Sequence, residues 1–297
     1  YSPYDGGNLN SWEAFIPPPP VPIDPVHDVL SILSPVHAVV PLLDYGWTLR
    51  VQGQLAQAAT CLEASVRLAV ETGQRSLASI GYFQLAVTAR MLGNWERSQE
   101  LNEESMTLNR QGDTTAELVS LWPRIASAFQ SLHAGRLEEA ARRLHRVVDF
   151  LDTSDAFRNH RNSANIGLGL VALGRDDLTT AKQMLQDALA DPINLYPYTH
   201  VQALLGLADV AAREGQMHES SRLLRQALRF AGQRSLLEEY VEVVLEIARL
   251  QPSHAPVQQL LQETSQHVKQ AGMQQVAGHL RDALENARLS NLEDLPA

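Results

Sequence analysis

The sequence predicts an all-α protein built as a solenoid of helix–turn–helix repeats. The main observation is a glycine that recurs about every forty residues between two helical stretches, at Gly53, Gly93, Gly135, Gly174 and Gly215. Spacings of 40, 42, 39 and 41 residues are typical of stacked supersecondary units rather than of one compact core. The 297 residues are 44% hydrophobic and 20% charged, which is an ordinary globular composition.

Residues 1–35 are predicted to form a proline-rich extended arm followed by a short helix. Nine of the fifteen prolines lie in residues 1–41, and consecutive prolines favour an extended path because they lack N–H donors and fix φ. A helix is expected from about Asp24 to Leu33, ended by Pro35. The arm is either a solvated linker or an acidic segment that docks intramolecularly on the solenoid, since residues 1–49 contain five acidic and no basic side chains.

Six helical hairpins are predicted over residues 36–272. Within each, apolar residues recur at helical spacing on both sides of a turn. The expected helix pairs are approximately Val39–Val51 with Gln54–Glu71, Leu77–Leu92 with Trp95–Arg110, Thr115–Ala134 with Leu137–Leu151, Phe157–Leu173 with Asp177–Ala190, Tyr198–Glu214 with Met217–Phe230, and Leu236–Leu250 with Val257–Ala271. Residues 273–297 are predicted to be a capping helix, about Gln274–Leu289, and a tail. Its polar composition suits the open end of a repeat array.

Small and large residues recur at fixed distances from the turn glycines. Seven residues before the glycine stand Gly46, Ala86, Ala128, Gly167 and Ala208. Five residues after it stand Ala58, Ser98, Ala140 and Ser220, and nine after it stand Leu62, Leu144 and Leu224. In the fourth unit two extra residues shift the small residue to Ala181. This pattern resembles the tetratricopeptide repeat (TPR), and the resemblance implies a right-handed superhelix.

A period near 40 exceeds the 34 residues of the basic TPR motif and predicts longer helices. In this respect the chain is similar to the repeat domains of LuxR-type, maltose-regulator-like bacterial transcription regulators and of related signal-transducing NTPases. In that family the array follows a nucleotide-binding module and precedes a helix-turn-helix. The sequence contains neither a phosphate-binding glycine loop nor an evident DNA-reading helix. The resemblance therefore implies the sensor or scaffold part of such a regulator.

No motif for catalysis, metal binding or cofactor binding is visible. The sequence lacks G-x-S-x-G, H-E-x-x-H and C-x-x-C, and its single cysteine, Cys61, is expected to be core packing. A net charge of −10 argues against direct nucleic-acid binding, and no apolar run is long enough to span a membrane. We therefore expect no enzyme activity, no cofactor and no metal, and a cytoplasmic location.

The concave wall of the array is the predicted binding surface. By analogy with the TPR family it is formed by the first helix of each hairpin. The residues expected to face it are Trp47, Arg50, Phe83, Arg90, Trp122, Phe129, His133, Arg161, Asn165, Tyr198, Gln202, Asp209 and Arg213. Arg161 and Asn165 lie one turn apart and resemble the Arg/Lys and Asn pair with which some TPR domains hold a peptide carboxylate. The sequence departs from that pattern at Asp44 and Gln84, where asparagines are expected.

The sequence leaves two main functions open, and an enzyme is the third and least favoured possibility. The first is a non-catalytic interaction module of a cytosolic regulator that binds a protein or peptide segment in its groove. The second is a small-molecule sensor whose closed groove gates an attached output domain, which requires a deep apolar pocket with few polar groups. The polar, arginine-bearing face favours the peptide.

Overall fold

The computed structural model describes residues 24–109, 121–151, 157–191, 195–234, 236–250 and 255–293, and within these ranges it is all helix and turn, without strands. The helices are α1 (Pro25–Ile32), α2 (Pro35–Val51), α3 (Leu55–Glu71), α4 (Arg75–Met91), α5 (Trp95–Asn109), α6 (Leu121–His133), α7 (Leu137–Leu151), α8 (Arg158–Gly174), α9 (Leu178–Leu189), α10 (Pro197–Arg213), α11 (Met217–Gln233), α12 (Leu237–Leu250), α13 (Ala255–Gln270) and α14 (Gln274–Glu293).

The helices pack as six successive hairpins, from α2 with α3 to α12 with α13, and α14 packs on α13 and α12. The predicted all-α solenoid is confirmed. The proline-rich arm, the turn near Gly112 and the start of the helix predicted from Thr115 lie outside the described residues. Pro35 ends the first helix, as predicted. It also begins α2, which was not predicted, at a position where a missing N–H costs nothing.

Most turn glycines end a helix in the same way. Gly53 has φ +77°, its N–H donates to the Arg50 carbonyl at 2.9 Å, and the following Gln54 N–H donates to the Leu49 carbonyl at 2.9 Å. This is a Schellman motif, in which a residue in the left-handed conformation satisfies the last carbonyls of the helix. Gly93, Gly135 and Gly215 also have positive φ, between +71° and +86°. At these four turns the recurring glycine therefore takes the left-handed position that ends the first helix of the hairpin.

Gly174 does not have the role that its position in the period predicts. It is the last residue of α8, and the left-handed position is taken two residues later by Asp176, with φ +63°. The N–H groups of Asp176 and Asp177 donate to the carbonyls of Leu173 and Ala172. The two extra residues thus lengthen the helix before the same cap. Gly174 instead allows close packing, since a Cβ there would lie 2.8 Å from a methyl of Leu137.

Small residues lie where helices cross closely, as the repeat pattern predicts. Ala58, Ala140, Ala181 and Ser220 are fully buried. Gly46 on α2 faces Leu62 on α3, and a Cβ at Gly46 would lie 2.6 Å from the Leu62 Cγ. These positions let the backbones approach and leave the larger leucines to fill the space between turns.

The two ends of the array touch each other. An added Cβ on Gly53, in the first turn, would lie 3.5 Å from the Ala271 Cβ, and one on Gly272 would lie 3.8 Å from Leu92. Leu55 belongs to the same buried cluster as Val268 near the end of α13. The superhelix therefore winds until its first two hairpins meet its last, and it encloses space along its axis.

Candidate ligand-binding site

Two adjoining cavities lie on the inner surface. The first, here called the inner cavity, has a volume of about 530 Å³ and lies between α2, α4 and α6 on one side and α10 and α12 on the other. The second, here called the groove, has a volume of about 940 Å³ and runs along α6, α8, α10 and α12. They share Phe129, His133, Gln202 and Glu242 as lining residues, so they form one continuous concave surface.

Leaving Asp209 aside, the predicted binding set has twelve residues, and ten of them line this surface. Those on the inner cavity are Trp47, Arg50, Phe83, Arg90, Trp122, Phe129, His133, Tyr198 and Gln202. Arg213 lies on the groove, together with Asp209. The structure therefore brings together side chains that the sequence spreads over more than 160 residues. Their role in binding a partner stays a prediction.

Arg161 and Asn165, the predicted clamp pair, lie elsewhere. Both are on α8 and partly buried, and neither is among the residues that line the inner cavity or the groove. The Arg161 guanidinium donates to the carbonyl of Leu151, at the end of α7. A cation at that point satisfies one of the free carbonyls of a helix C-terminus. The structure thus gives Arg161 a structural contact at the end of the preceding helix.

Trp122 is the centre of an aromatic cluster beside the inner cavity. Its ring centroid lies 4.2 Å from that of Tyr196, 4.9 Å from His160, 5.5 Å from Tyr198 and 6.4 Å from Phe83. Burial lowers the pKa of His160 to about 4, so its ring is neutral. The cluster joins consecutive hairpins and gives one wall of the cavity a continuous π surface.

The opposite wall carries acidic side chains. Glu238, Glu239 and Glu242 lie in the first two turns of α12 and all three line the inner cavity. Arg90 Nη2 contacts Glu238 Oε2 at 2.8 Å, and the two side chains are only 16% and 17% exposed. Arg90 and Glu238 are 148 residues apart in sequence, so this ion pair connects the second hairpin to the sixth across the axis.

Arg50 approaches the same acidic wall from α2. Its Nη2 donates to Gln84 Oε1 at 2.9 Å, and burial lowers its pKa to about 10 despite the neighbouring Glu238 and Glu239. The Gln202 amide donates to a carboxylate oxygen of Glu242. The centre of the solenoid therefore holds two guanidinium groups and three carboxyl groups in partly dehydrated surroundings.

Two carboxyl groups of the acidic wall, those of Glu239 and Glu242, hold their protons more firmly than usual. Burial, reinforced by the neighbouring carboxylates, raises the pKa of Glu239 to about 8 and that of Glu242 to about 7. Burial also lowers the pKa of His133, which faces Arg90, so this imidazole is neutral. Near neutral pH the wall thus consists of Glu238 paired with Arg90 and of two carboxyl groups that retain protons part of the time.

A buried amide network forms another part of the lining. The Asn102 side chain is 2% exposed and its Nδ2 donates to Gln130 Oε1 at 3.1 Å, while Gln130 Nε2 donates to Ser98 Oγ at 2.8 Å. The Asn102 Oδ1 has no hydrogen-bond partner among the described residues. Asn102 lies nine residues after Gly93, the position that Leu62, Leu144 and Leu224 occupy in other hairpins, and the polar network explains how an amide is accommodated there.

The groove has an apolar floor with charged rims. Leu132, Leu170 and Leu205 are among its lining residues. On one rim Arg213 contacts Asp209 at 2.8 Å, and Arg249 contacts the same carboxylate at 3.4 Å. An apolar trough with polar edges is suited to a segment that buries its side chains and keeps its backbone hydrogen-bonded.

The acidic wall is the feature that sequence reasoning missed. In the sequence Glu238 and Glu239 follow a helix start, where acidic residues are common because they complement the helix dipole. The available signal was Glu242, four residues after Glu238 on a helix whose other positions are mostly apolar. That signal shows that one face of the helix is acidic. It does not show that α4 packs opposite this face, because α4 lies in a distant part of the sequence.

Comparison with known proteins identifies the class of fold. No protein family profile matches the sequence, and no curated protein matches it significantly. Among solved structures, the chain is similar to a Rap protein complexed with Competence and Sporulation Factor, at TM-score 0.57 and 15% identity over 90% of this chain and 80% of that one. It is also similar to the apo form of RapI, at TM-score 0.52 and 10% identity over 91% and 81% of the two chains.

A third similar structure is PilF of Pseudomonas aeruginosa, at TM-score 0.48 and 17% identity over 77% of this chain and 99% of that one. At such identities the likeness concerns the fold, and the chain is a TPR-like helical solenoid. The more specific resemblance to LuxR-type and maltose-regulator-like proteins is not shown by these structures and stays a prediction. In the part of the chain that is described, no helix is long and apolar enough to cross a membrane.

Proposed function

We propose that this chain is a non-catalytic interaction module that binds a protein or peptide segment along its inner surface. One observation carries the proposal. The groove and the inner cavity adjoin, and together they provide roughly 1,500 Å³ of concave space lined by ten of the predicted binding residues. Such continuous space is larger than the ~300–1,000 Å³ of a typical small-molecule pocket and follows the axis as an extended segment would.

The chemistry of the lining supports a peptide as the ligand. The apolar floor of the groove offers places for side chains, and its rim offers Arg213, Arg249 and Asp209 to backbone and side-chain polar groups. Gln84 and Gln202 add amides on the inner cavity, and amides can both donate to and accept from peptide backbone. As in the sequence-based hypothesis, we place the module in a cytosolic regulatory protein, where it would act as sensor or scaffold.

A small-molecule sensor remains a second candidate because of the inner cavity. Its volume of about 530 Å³ is typical of a small-ligand pocket, and converging polar groups occupy an otherwise largely aromatic and aliphatic lining. In that case the groove would be an approach to the cavity rather than part of the binding site.

Selection from a random peptide library displayed on phage tests the main proposal. We expect the full chain to enrich a family of related peptides. A double variant, Ala126→Phe with Ala212→Phe, places a ring in each cavity and should abolish the enrichment. Both alanines line the cavities and are partly exposed, so the added rings have room toward the axis.

The matched control is Ala56→Phe, because Ala56 is exposed on α3 and is not among the residues of either cavity. Equal recovery of the same peptides by the double variant and the control would place binding outside the inner surface and contradict the proposal. If no peptide is enriched but a metabolite collection contains a compound that raises the melting temperature of the chain, the sensor function is favoured instead.

A further inference from the structure

The charges that line the inner cavity do not balance. Glu238, Glu239 and Glu242 contribute three carboxyl groups, whereas Arg50 and Arg90 contribute two guanidinium groups. His133 adds no charge, because burial and the nearby Arg90 lower the pKa of its imidazole. With all five ionised, the cavity has one negative charge in excess in a place that water reaches poorly.

The contacts show that two of the three carboxyl groups, Glu239 and Glu242, form no ion pair among the described residues. Glu238 pairs with Arg90 at 2.8 Å, and Glu242 accepts a hydrogen bond from Gln202. Arg50 donates to Gln84 instead of to a carboxylate. Among the described residues, Glu239 forms no ion pair and no hydrogen bond with another side chain. A partly buried carboxylate with no cation in direct contact is costly, and the protein reduces that cost by keeping a proton there.

The rest of the lining also favours a positive ligand. Phe83, Trp122 and Tyr198 present aromatic rings to the same cavity, and the face of an aromatic ring attracts a cation and repels an anion. Asn102, which lines the cavity as well, keeps a buried Oδ1 acceptor without a donor among the described residues. The lining thus offers an acceptor and π faces to a cation, whereas Arg90 is paired with Glu238 and the Arg50 Nη2 is hydrogen-bonded to Gln84.

We infer that the inner cavity binds its ligand through a cationic group, a guanidinium or a primary ammonium, which pairs with Glu239 and Glu242 beside the aromatic wall. If the cationic group is the arginine or lysine side chain of a bound peptide, the inference rests on the proposed function and deepens it. A free amine of similar chemistry is the other source of such a group. In either case the bound cation replaces a proton and neutralises the excess charge.

Isothermal titration with matched probes tests the inference. The probes are acetyl-Ala-Ala-Arg-Ala-Ala-amide, the same peptide with citrulline, the same peptide with Glu, and agmatine. Citrulline keeps the shape of arginine without its charge. We expect the arginine peptide to bind about tenfold or more tightly than the citrulline peptide, and the Glu peptide to bind most weakly. Agmatine binding without peptide binding would identify a free amine as the source.

The variant Glu239→Gln keeps the shape of the side chain and removes its charge, and should bring the arginine-to-citrulline preference close to one. Glu242→Gln is the second variant, and Glu100→Gln, at a carboxylate whose side chain is 56% exposed, is the control that should keep the full preference. Equal affinity for arginine and citrulline, tighter binding of the Glu peptide, an unchanged preference in both cavity variants, or no saturable binding of either cationic probe would overturn the inference.

The phage selection separates this inference from the proposed function. If selected peptides bind the inner surface but contain no more arginine or lysine than the library, the interaction module stands and the cationic preference fails. If no peptide is selected while agmatine binds and Glu239→Gln abolishes its binding, the cationic site stands and the peptide function fails.

Discussion

Removing one partner of the ion pair between Arg90 and Glu238 should cost far more stability than removing one partner of an exposed pair. Replacing Arg90 with Met removes one of two positive charges from the centre of the solenoid and leaves three carboxyl groups facing Arg50. Removing one partner of a buried pair typically costs about 3–5 kcal/mol, whereas an exposed pair contributes about 0.2–1 kcal/mol. Because the two side chains are still 16% and 17% exposed, we expect a loss of roughly 2–4 kcal/mol.

The chain offers a matched control for this perturbation. Arg97 and Glu100 form an ion pair at 2.9 Å on the surface of α5, with side chains 54% and 56% exposed. Arg97→Met should therefore cost less than about 1 kcal/mol. The assay is urea unfolding followed by circular dichroism for both variants and the parent chain, with comparison of midpoints at equal m-values. Adding Glu238→Gln to Arg90→Met should recover part of the loss, because it removes the uncompensated carboxylate.

A second readout tests the position of the pair. If Arg90 and Glu238 hold the two ends of the array together, Arg90→Met should increase the radius of gyration measured by small-angle X-ray scattering, and Arg97→Met should not. Equal free energies of unfolding for the two single variants, together with unchanged scattering, would refute the reasoning that the pair is buried and closes the superhelix.

Two further predictions concern packing and pH. Gly46→Ala should lower the free energy of unfolding in urea by about 1–3 kcal/mol, because its Cβ would lie 2.6 Å from Leu62. The control Gly278→Ala, whose Cβ would have nothing nearer than 3.9 Å, should be neutral or raise it by up to about 1 kcal/mol. The reverse order would contradict the close crossing of α2 and α3 at Gly46. Burial raises the folded-state pKa of Glu239 to about 8 and that of Glu242 to about 7, so the folded chain holds protons that the unfolded chain releases above about pH 4.5. Stability should fall by up to about 1.4 kcal/mol per pH unit and per carboxyl group between about pH 4.5 and these values, and should level off above them. Chemical unfolding at pH 6.5 and 8.5 should show the decrease in the parent chain but not in the Glu239→Gln, Glu242→Gln variant.

The local parts of this fold could be read from the sequence because their causes are local. Helix ends were predicted to within a few residues wherever a glycine in the left-handed conformation, as at Gly53, or a proline, as at Pro197, determines where the helix stops or starts. Gly174 was assigned the wrong role because composition alone does not distinguish a glycine needed for its φ from one needed for close packing. Asp176 could take the turn position because aspartate tolerates the left-handed region better than most residues.

The candidate site could be predicted only in part, because its two walls come from distant parts of the chain. Repeat analogy gave the aromatic and arginine positions of α2 to α10, which share one face. It did not give Glu239 or its neighbours, since their partners depend on how far the superhelix winds before its ends meet. Repeat analogy also predicts Arg161 on the groove, whereas its guanidinium reaches the carbonyl of Leu151 at the end of the adjacent helix.

The contact between the first turn, at Gly53, and the region of Ala271 changes how this array should open. In an ordinary row of repeats, each terminal unit has one neighbour and exchanges its amide hydrogens fastest, independently of the opposite terminus. Here the first and the sixth hairpins each gain a second neighbour. Loss of either one exposes the other, so their amides should exchange at similar, coupled rates.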